Sequence, residues 1–154
     1  MGNEIIVQLF ERDLKKLRDE IAAYPSEDSL WAPLPGTINT GGNLCQHLIG
    51  NQRTYVGLTL GNVGYVRNRD AEFAARYFTQ NELVAEVENV SEIVIRSINT
   101  LSENQLKAEY PREVLDMFVS QSIELILTHL STHLAYHLGQ INYHRRWVST
   151  LTTP

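Results

Sequence analysis

One cysteine, Cys45, is present in 154 residues. That excludes an intrachain disulfide framework and a cysteine-rich zinc module. No apolar run approaches the roughly eighteen residues that span a bilayer. Basic residues are in the minority, with thirteen Lys and Arg against eighteen Asp and Glu, giving a net charge of −5. No nucleic-acid partner is therefore expected, since such binding shows as a basic excess or patch. The opening "MGNEIIVQLFERD" lacks the basic segment and small-residue cleavage site of a signal peptide. Ile6 stands where the myristoylation pattern requires Ser or Thr. The triplet Asn89-Val90-Ser91 matches a glycosylation sequon but has no export signal to make use of it, so a cytoplasmic location is expected.

Strand patterns are missing too, because no convincing alternation of four or more residues competes with helical spacing. Nor is there an internal repeat, a low-complexity tract or a flexible linker. What is present is an ordinary globular balance of 43% apolar and 20% charged residues. It predicts one domain over residues 1–154, long enough to bury a core without a disulfide or a structural metal.

Four long helical segments stand out. The first spans about Asn3 to Tyr24, with Ile6, Leu9, Phe10, Leu14, Leu17 and Ile21 on one stripe. Pro25 and "PSEDSLWAPLPG" end it in a proline-marked connection. The second starts near Asn39 or Thr40, both good N-caps, and runs to about Leu60, before Gly61. "GNVGYVRNRDAEFAARYF" follows as a polar, aromatic connection with room for a short helical turn. Thr79 and Glu82 form a capping-box pattern that opens the third helix, which continues to about Leu101. Ser102 and Gln105 repeat that pattern, but Pro111 stops what they start. The fourth helix begins around Met117 to Ser120 and reaches about Val148. Four amphipathic helices must bury their stripes on one another, so the expected fold is an all-α four-helix bundle with a long connection between helices 2 and 3.

Four of the five histidines fall in "THLSTHLAYHLGQINYHRR" on the fourth helix. With His133 set at zero on a helical wheel, Val119, Ile123, Ile126, Leu127, Leu130, Leu134, Leu138 and Ile141 gather near about +80°. His137 lies inside that arc at about +40°, His133 at its edge, and His129 outside it at about −40°. On the second helix Leu44, Leu48, Tyr55 and Leu58 define the apolar face. His47 lies at its edge with Asn51 beside it, and Cys45 points away. Two imidazoles at i and i+4 can share one ion, and a third from a facing helix makes a three-nitrogen site with open positions, the plan of a catalytic metal centre. Imidazole suits Zn, Ni, Fe or Cu. By periodicity alone these histidines fit a hydrogen-bonded core as well as they fit a metal site.

"HLAYHLGQI" resembles the fourth-helix signature of the DinB-like superfamily, and "GGNLCQHLIGN" resembles its second-helix histidine motif. The order of elements and the length agree over almost the whole chain. The resemblance implies a four-helix bundle of DinB/YfiT-like type, often dimeric, with a divalent metal ion held by His47, His133 and His137. Zn or Ni heads the expected metals, followed by Fe or Mn. It also implies an enzyme acting on a small-molecule substrate or thiol, as a metal-dependent hydrolase or a thiol-dependent transferase. The alternative is a non-catalytic metal-binding or stress-responsive dimeric bundle.

Asn51 and Gln140 lie near the ligand faces, where each can orient an imidazole or make a core hydrogen bond. Arg67, Arg69 and Asp70 can line the mouth and meet an anionic substrate, or form a solvated loop. Tyr55, Tyr136 and Tyr143 are read as packing residues with a secondary role toward substrate. His144 is given no ligand role. Arg145 and Arg146 complement the helix C-terminus.

Overall fold

A computed structural model describes residues 2–151. The first helix, α1 (Glu4–Ala22), buries Ile6, Val7, Phe10, Leu14, Leu17 and Ile21, spaced by three or four residues from Val7 onward. Leu9 sits at the margin of that stripe and is half-buried. In the proline-marked connection, Ser26 and Ser29 close a capping box around the short α2 (Glu27–Leu30). The next helix, α3 (Gly41–Gln52), starts where Thr40 Oγ1 accepts the Asn43 amide at 3.2 Å.

The second long helix does not stay α-helical to its end. After Gln52 come a π-helical stretch, Arg53–Leu58, and the short α4 (Thr59–Gly61), which stops at Asn62 in the left-handed region with φ 53°. The Thr59 hydroxyl reaches back five residues to the Thr54 carbonyl at 2.8 Å. Widening the turn rotates every later side chain relative to an α-helical wheel. This is why Tyr55 and Leu58, expected on the apolar face, are only half-buried while Val56 is wholly buried.

The connection to the third long helix carries α5 (Arg69–Ala74). The Thr79/Glu82 capping box then opens α6 (Gln80–Asn99), and the Ser102/Gln105 box opens α7 (Glu103–Lys107). The last helix, α8, spans Ile123–Leu151. Its start is later than the sequence suggests, and the cause is a set of bonds between distant residues. Glu109 takes the Gln121 amide at 2.8 Å and the Ser120 hydroxyl at 2.7 Å. The Tyr110 amide donates to the Gln121 carbonyl at 2.7 Å, and the Ile123 amide to Ala108 at 2.9 Å. Residues 120–122 are thereby held away from helical geometry. Val119, expected on the apolar stripe of the fourth helix, instead lies in an exposed loop with Met117 and Phe118.

Among the described residues the chain is all-helical, apart from one isolated antiparallel bridge between Glu109 and Ser122. α1 packs on α6 and α8, and α3 packs on the same two helices. Phe10, Leu14, Leu48, Leu83, Leu130 and Leu134 meet in the shared core, each contributing about 1.5–3 kcal/mol by leaving water. α3 is enclosed on nearly every side, so Cys45 is buried even though it points away from His47. No helix among the described residues is long and apolar enough to cross a membrane.

Candidate metal centre

α3 and α8 lie side by side, and their contact brings His47 to His133 and His137. His47 is buried, and the other two are half-buried. The Nε2 atoms of His47 and His133 are 3.2 Å apart, and those of His137 and His133 are 3.1 Å apart. Interplanar angles of 73°, 85° and 88° turn the three rings edge-on toward one another. One nitrogen from each residue lies within 4.8 Å of the others, a group that could hold a metal ion.

The partners of the far nitrogens favour a proton there on two rings, since a carboxylate or an amide oxygen can only accept. His47 Nδ1–H donates to Glu72 Oε1 at 3.1 Å, and His137 Nδ1–H donates to Gln140 Oε1 at 2.7 Å. With the proton on Nδ1, each presents a bare lone pair at Nε2. Only His133 can place a proton between the three, and one proton satisfies one neighbour. Its Nδ1 is buried without a partner. Three converging acceptors around one shared proton are electrostatically poor, whereas a cation relieves all of them. Metal–nitrogen bonds of about 2.0–2.1 Å spaced by 90–109° put ligand nitrogens about 2.9–3.4 Å apart, and the two separations from His133, 3.2 and 3.1 Å, fall in that range.

Electrostatics favour neutral imidazole here. Burial, followed by the nearby His137, His47, His129 and Arg67, pushes His133 down to about 3. Burial also lowers His137, against the opposing pull of its Gln140 hydrogen bond. A ring that stays neutral has its lone pair available for a ligand.

Behind His47 stands a carboxylate that sequence reasoning did not single out. Glu72, only 5% exposed, comes from α5 in the connection between the second and third long helices. Arg67 grips it with two bonds, Nε to Oε2 at 2.8 Å and a terminal nitrogen to Oε1 at 2.7 Å. Burial by itself would raise the Glu72 carboxyl, but hydrogen bonds and charge from Arg67 and His47 prevail and hold it below the usual range. The backbone of α5 is fastened as well, since Gln46 Nε2 donates to the carbonyls of Glu72 at 3.0 Å and Ala75 at 2.8 Å. Phe73 covers the His47 ring, with centroids 4.8 Å apart. Gly50, three residues beyond His47, makes room for this approach. A Cβ there would stand 1.9 Å from Glu72 Oε2. That glycine was the available sequence signal, although it does not say which segment fills the gap.

The remaining candidates separate by their bonds. Gln140 reaches a histidine of the cluster. Asn51 is buried and accepts from Gln52 at 3.3 Å instead. The Arg67 guanidinium is committed to Glu72 and also lies 3.3 Å from His47 Nδ1. Arg69 stacks over Phe73, and Asp70 is exposed. Tyr136 is exposed with its ring 5.2 Å from His137, and Arg67 lies over the Tyr55 ring. His129 is half-buried with its ring 6.1 Å from His133 and is not part of the metal-capable group. His144 is buried elsewhere, bonded to the Tyr24 hydroxyl and the Ala32 carbonyl, each at 2.8 Å.

Fold and site together define an all-helical protein with a three-histidine cluster able to hold a metal. The chain belongs to the family described as "Protein of unknown function (DUF1572)", whose model matches residues 4–151. No curated protein matches it.

Proposed function

We propose that this protein is a metal-dependent enzyme whose divalent ion is held by His47, His133 and His137. The observation that carries the reading is the convergence of three Nε2 atoms while Glu72 and Gln140 hold the outer nitrogens of two of the rings. Zn and Ni suit three neutral imidazoles best, with Fe or Mn next. Such an ion would supply Lewis acidity to a water molecule or a small thiol.

The chain's own residues prepare the site for this. Glu72 fixes the tautomer and orientation of the His47 ring, and Arg67 keeps Glu72 ionised. Phe73 shields one side of His47 from water. Three protein ligands leave further positions open, which suits hydrolysis or thiol transfer to a small molecule. The packing of α1, α3, α6 and α8 on one another supports a four-helix bundle of DinB-like type. A dimer in the cytoplasm completes the reading.

One observation favours a second reading, a non-catalytic metal-binding or stress-responsive module. The buried carboxylate nearest the cluster is locked by Arg67 and is not free to serve as a general base. A panel of thiol-conjugation and hydrolysis reactions, run with protein reloaded with Zn, Ni, Mn or Fe, decides between them. Metal-dependent turnover lost in His133→Ala supports the enzyme. A loaded protein that turns over no member of either panel supports the module.

A further inference from the structure

A cavity of about 680 Å³ lies beside the histidine cluster, between the second half of α8 and the turn that precedes α3. That volume is in the range of small-molecule sites, about 300–1,000 Å³. Leu34, Pro35, Ile38, Leu44, Tyr143 and Trp147 supply its apolar wall. The outer wall is preformed. Pro35 and Gly36 make a tight turn, with Gly36 at φ 78° and the Thr37 amide donating to the Leu34 carbonyl at 3.1 Å. This is the geometry in which proline and glycine are preferred at the two central positions. It holds Ile38 98% exposed, opposite Tyr143 and Trp147, which are also exposed.

Two features say what the cavity takes. First, none of its lining residues is an acid, a lysine or an arginine. His144 in the lining has both ring nitrogens engaged, and burial lowers its pKa. A charged occupant would lose water without gaining a counter-ion, a cost that selects neutral molecules. Second, Gln140 belongs to both sites. Its Oε1 accepts the His137 Nδ1 proton, and its side chain lines the cavity. With the oxygen committed to His137, the amide nitrogen is left to donate to an occupant.

We propose that this cavity binds the apolar, uncharged body of a small organic substrate and that Gln140 couples its occupancy to the histidine cluster. The coupling rests on the metal-centre reading; the binding does not.

The binding test uses chelator-treated protein and two probes of one shape, neutral 1-naphthol and anionic 1-naphthoate, followed by titration calorimetry. The expected result is 1-naphthol binding with a submillimolar dissociation constant and at least tenfold preference over 1-naphthoate. Trp147→Ala, at a residue that is 59% exposed, should weaken 1-naphthol at least tenfold. Met117→Ala, in the exposed loop before α8, should not weaken it. Equal affinity for both probes, or an unaffected Trp147→Ala, overturns the proposal. So does a wild-type dimer that excludes 1-naphthol and that Trp147→Ala converts to monomer, because a second copy would then cover this face.

The coupling test uses cobalt(II) as a spectroscopic probe. Saturating 1-naphthol should shift the visible absorption of the cobalt-loaded protein, and Gln140→Ala should remove the shift. An unmoved spectrum in the wild type overturns the coupling. Failure of cobalt to bind at all, with 1-naphthol still bound, overturns the metal centre and the coupling together and leaves the cavity standing.

Discussion

Glu72 and Gly50 show how much of a site can rest on residues that touch no substrate. Glu72 Oε1 meets both His47 and Arg67 at hydrogen-bonding distance. Glu72→Gln keeps the size but removes the charge that offsets Arg67 and orients His47. Outer partners of this kind are worth about 10–100-fold in metal affinity. A loss in that range is expected by competition with a colorimetric chelator, and unchanged affinity would remove Glu72 from the site. Gly50→Ala presses a methyl group onto the same carboxylate, so it should lower the melting temperature and loosen α5. Faster amide exchange confined to residues 67–75 is the expected signature, read by mass spectrometry. The inward turn of His133 and His137 was legible in the sequence, because i,i+4 spacing on a helix fixes a face. The carboxylate was not, since twenty-five residues separate it from His47 and only tertiary packing joins them.

Among the elements, those defined by local chemistry were the readable ones. The Thr79/Glu82 and Ser102/Gln105 boxes form within single turns and appear where the spacing places them. The π-helical stretch and the delayed start of α8 depend on bonds across longer intervals, such as Glu109 with Ser120 and Gln121. Glu109→Ala removes both bonds. The expected result is a lower denaturation midpoint, with amide protection lost at residues 120–123. Full stability in denaturant would contradict this account of the helix start.

His144 ties α8 to Tyr24, two residues past α1, and to Ala32, two residues past α2. Burial lowers its pKa below the ordinary histidine value. As pH falls through about 6.5, the unfolded chain takes up that proton before the folded chain does. Stability is therefore lost on acidification, and the contribution is intact only above that value. Chelator-treated His144→Gln should be less stable at pH 7 yet show a shallower decline between pH 6.5 and 4.5. A parallel decline in both proteins would rule out this role for His144.

Across the whole molecule, the apolar core extends well beyond the histidine cluster. Phe10, Leu17, Leu83, Ile98 and Leu127 belong to it on α1, α6 and α8. The apo protein is accordingly expected to keep its helical circular dichroism after chelation. Metal would stabilise it by linkage alone, about 2.7 kcal/mol at a hundred times the dissociation constant. A random-coil spectrum on chelation would make the site a structural one. The all-helical architecture was legible because amphipathic periodicity is a property of each segment. Which loop closes over the site was not, because that depends on how α5 docks on α3.

If His47, His133 and His137 together hold one metal ion, zinc loading should show it. Metal content per chain, after loading and removal of excess, is measured by elemental analysis for the wild type and four single variants. One ion per chain is expected in the wild type and in His129→Ala, and a loss of most of it in His47→Ala, His133→Ala and His137→Ala. Zinc-free wild-type protein, or equal loss in His129→Ala, would contradict it.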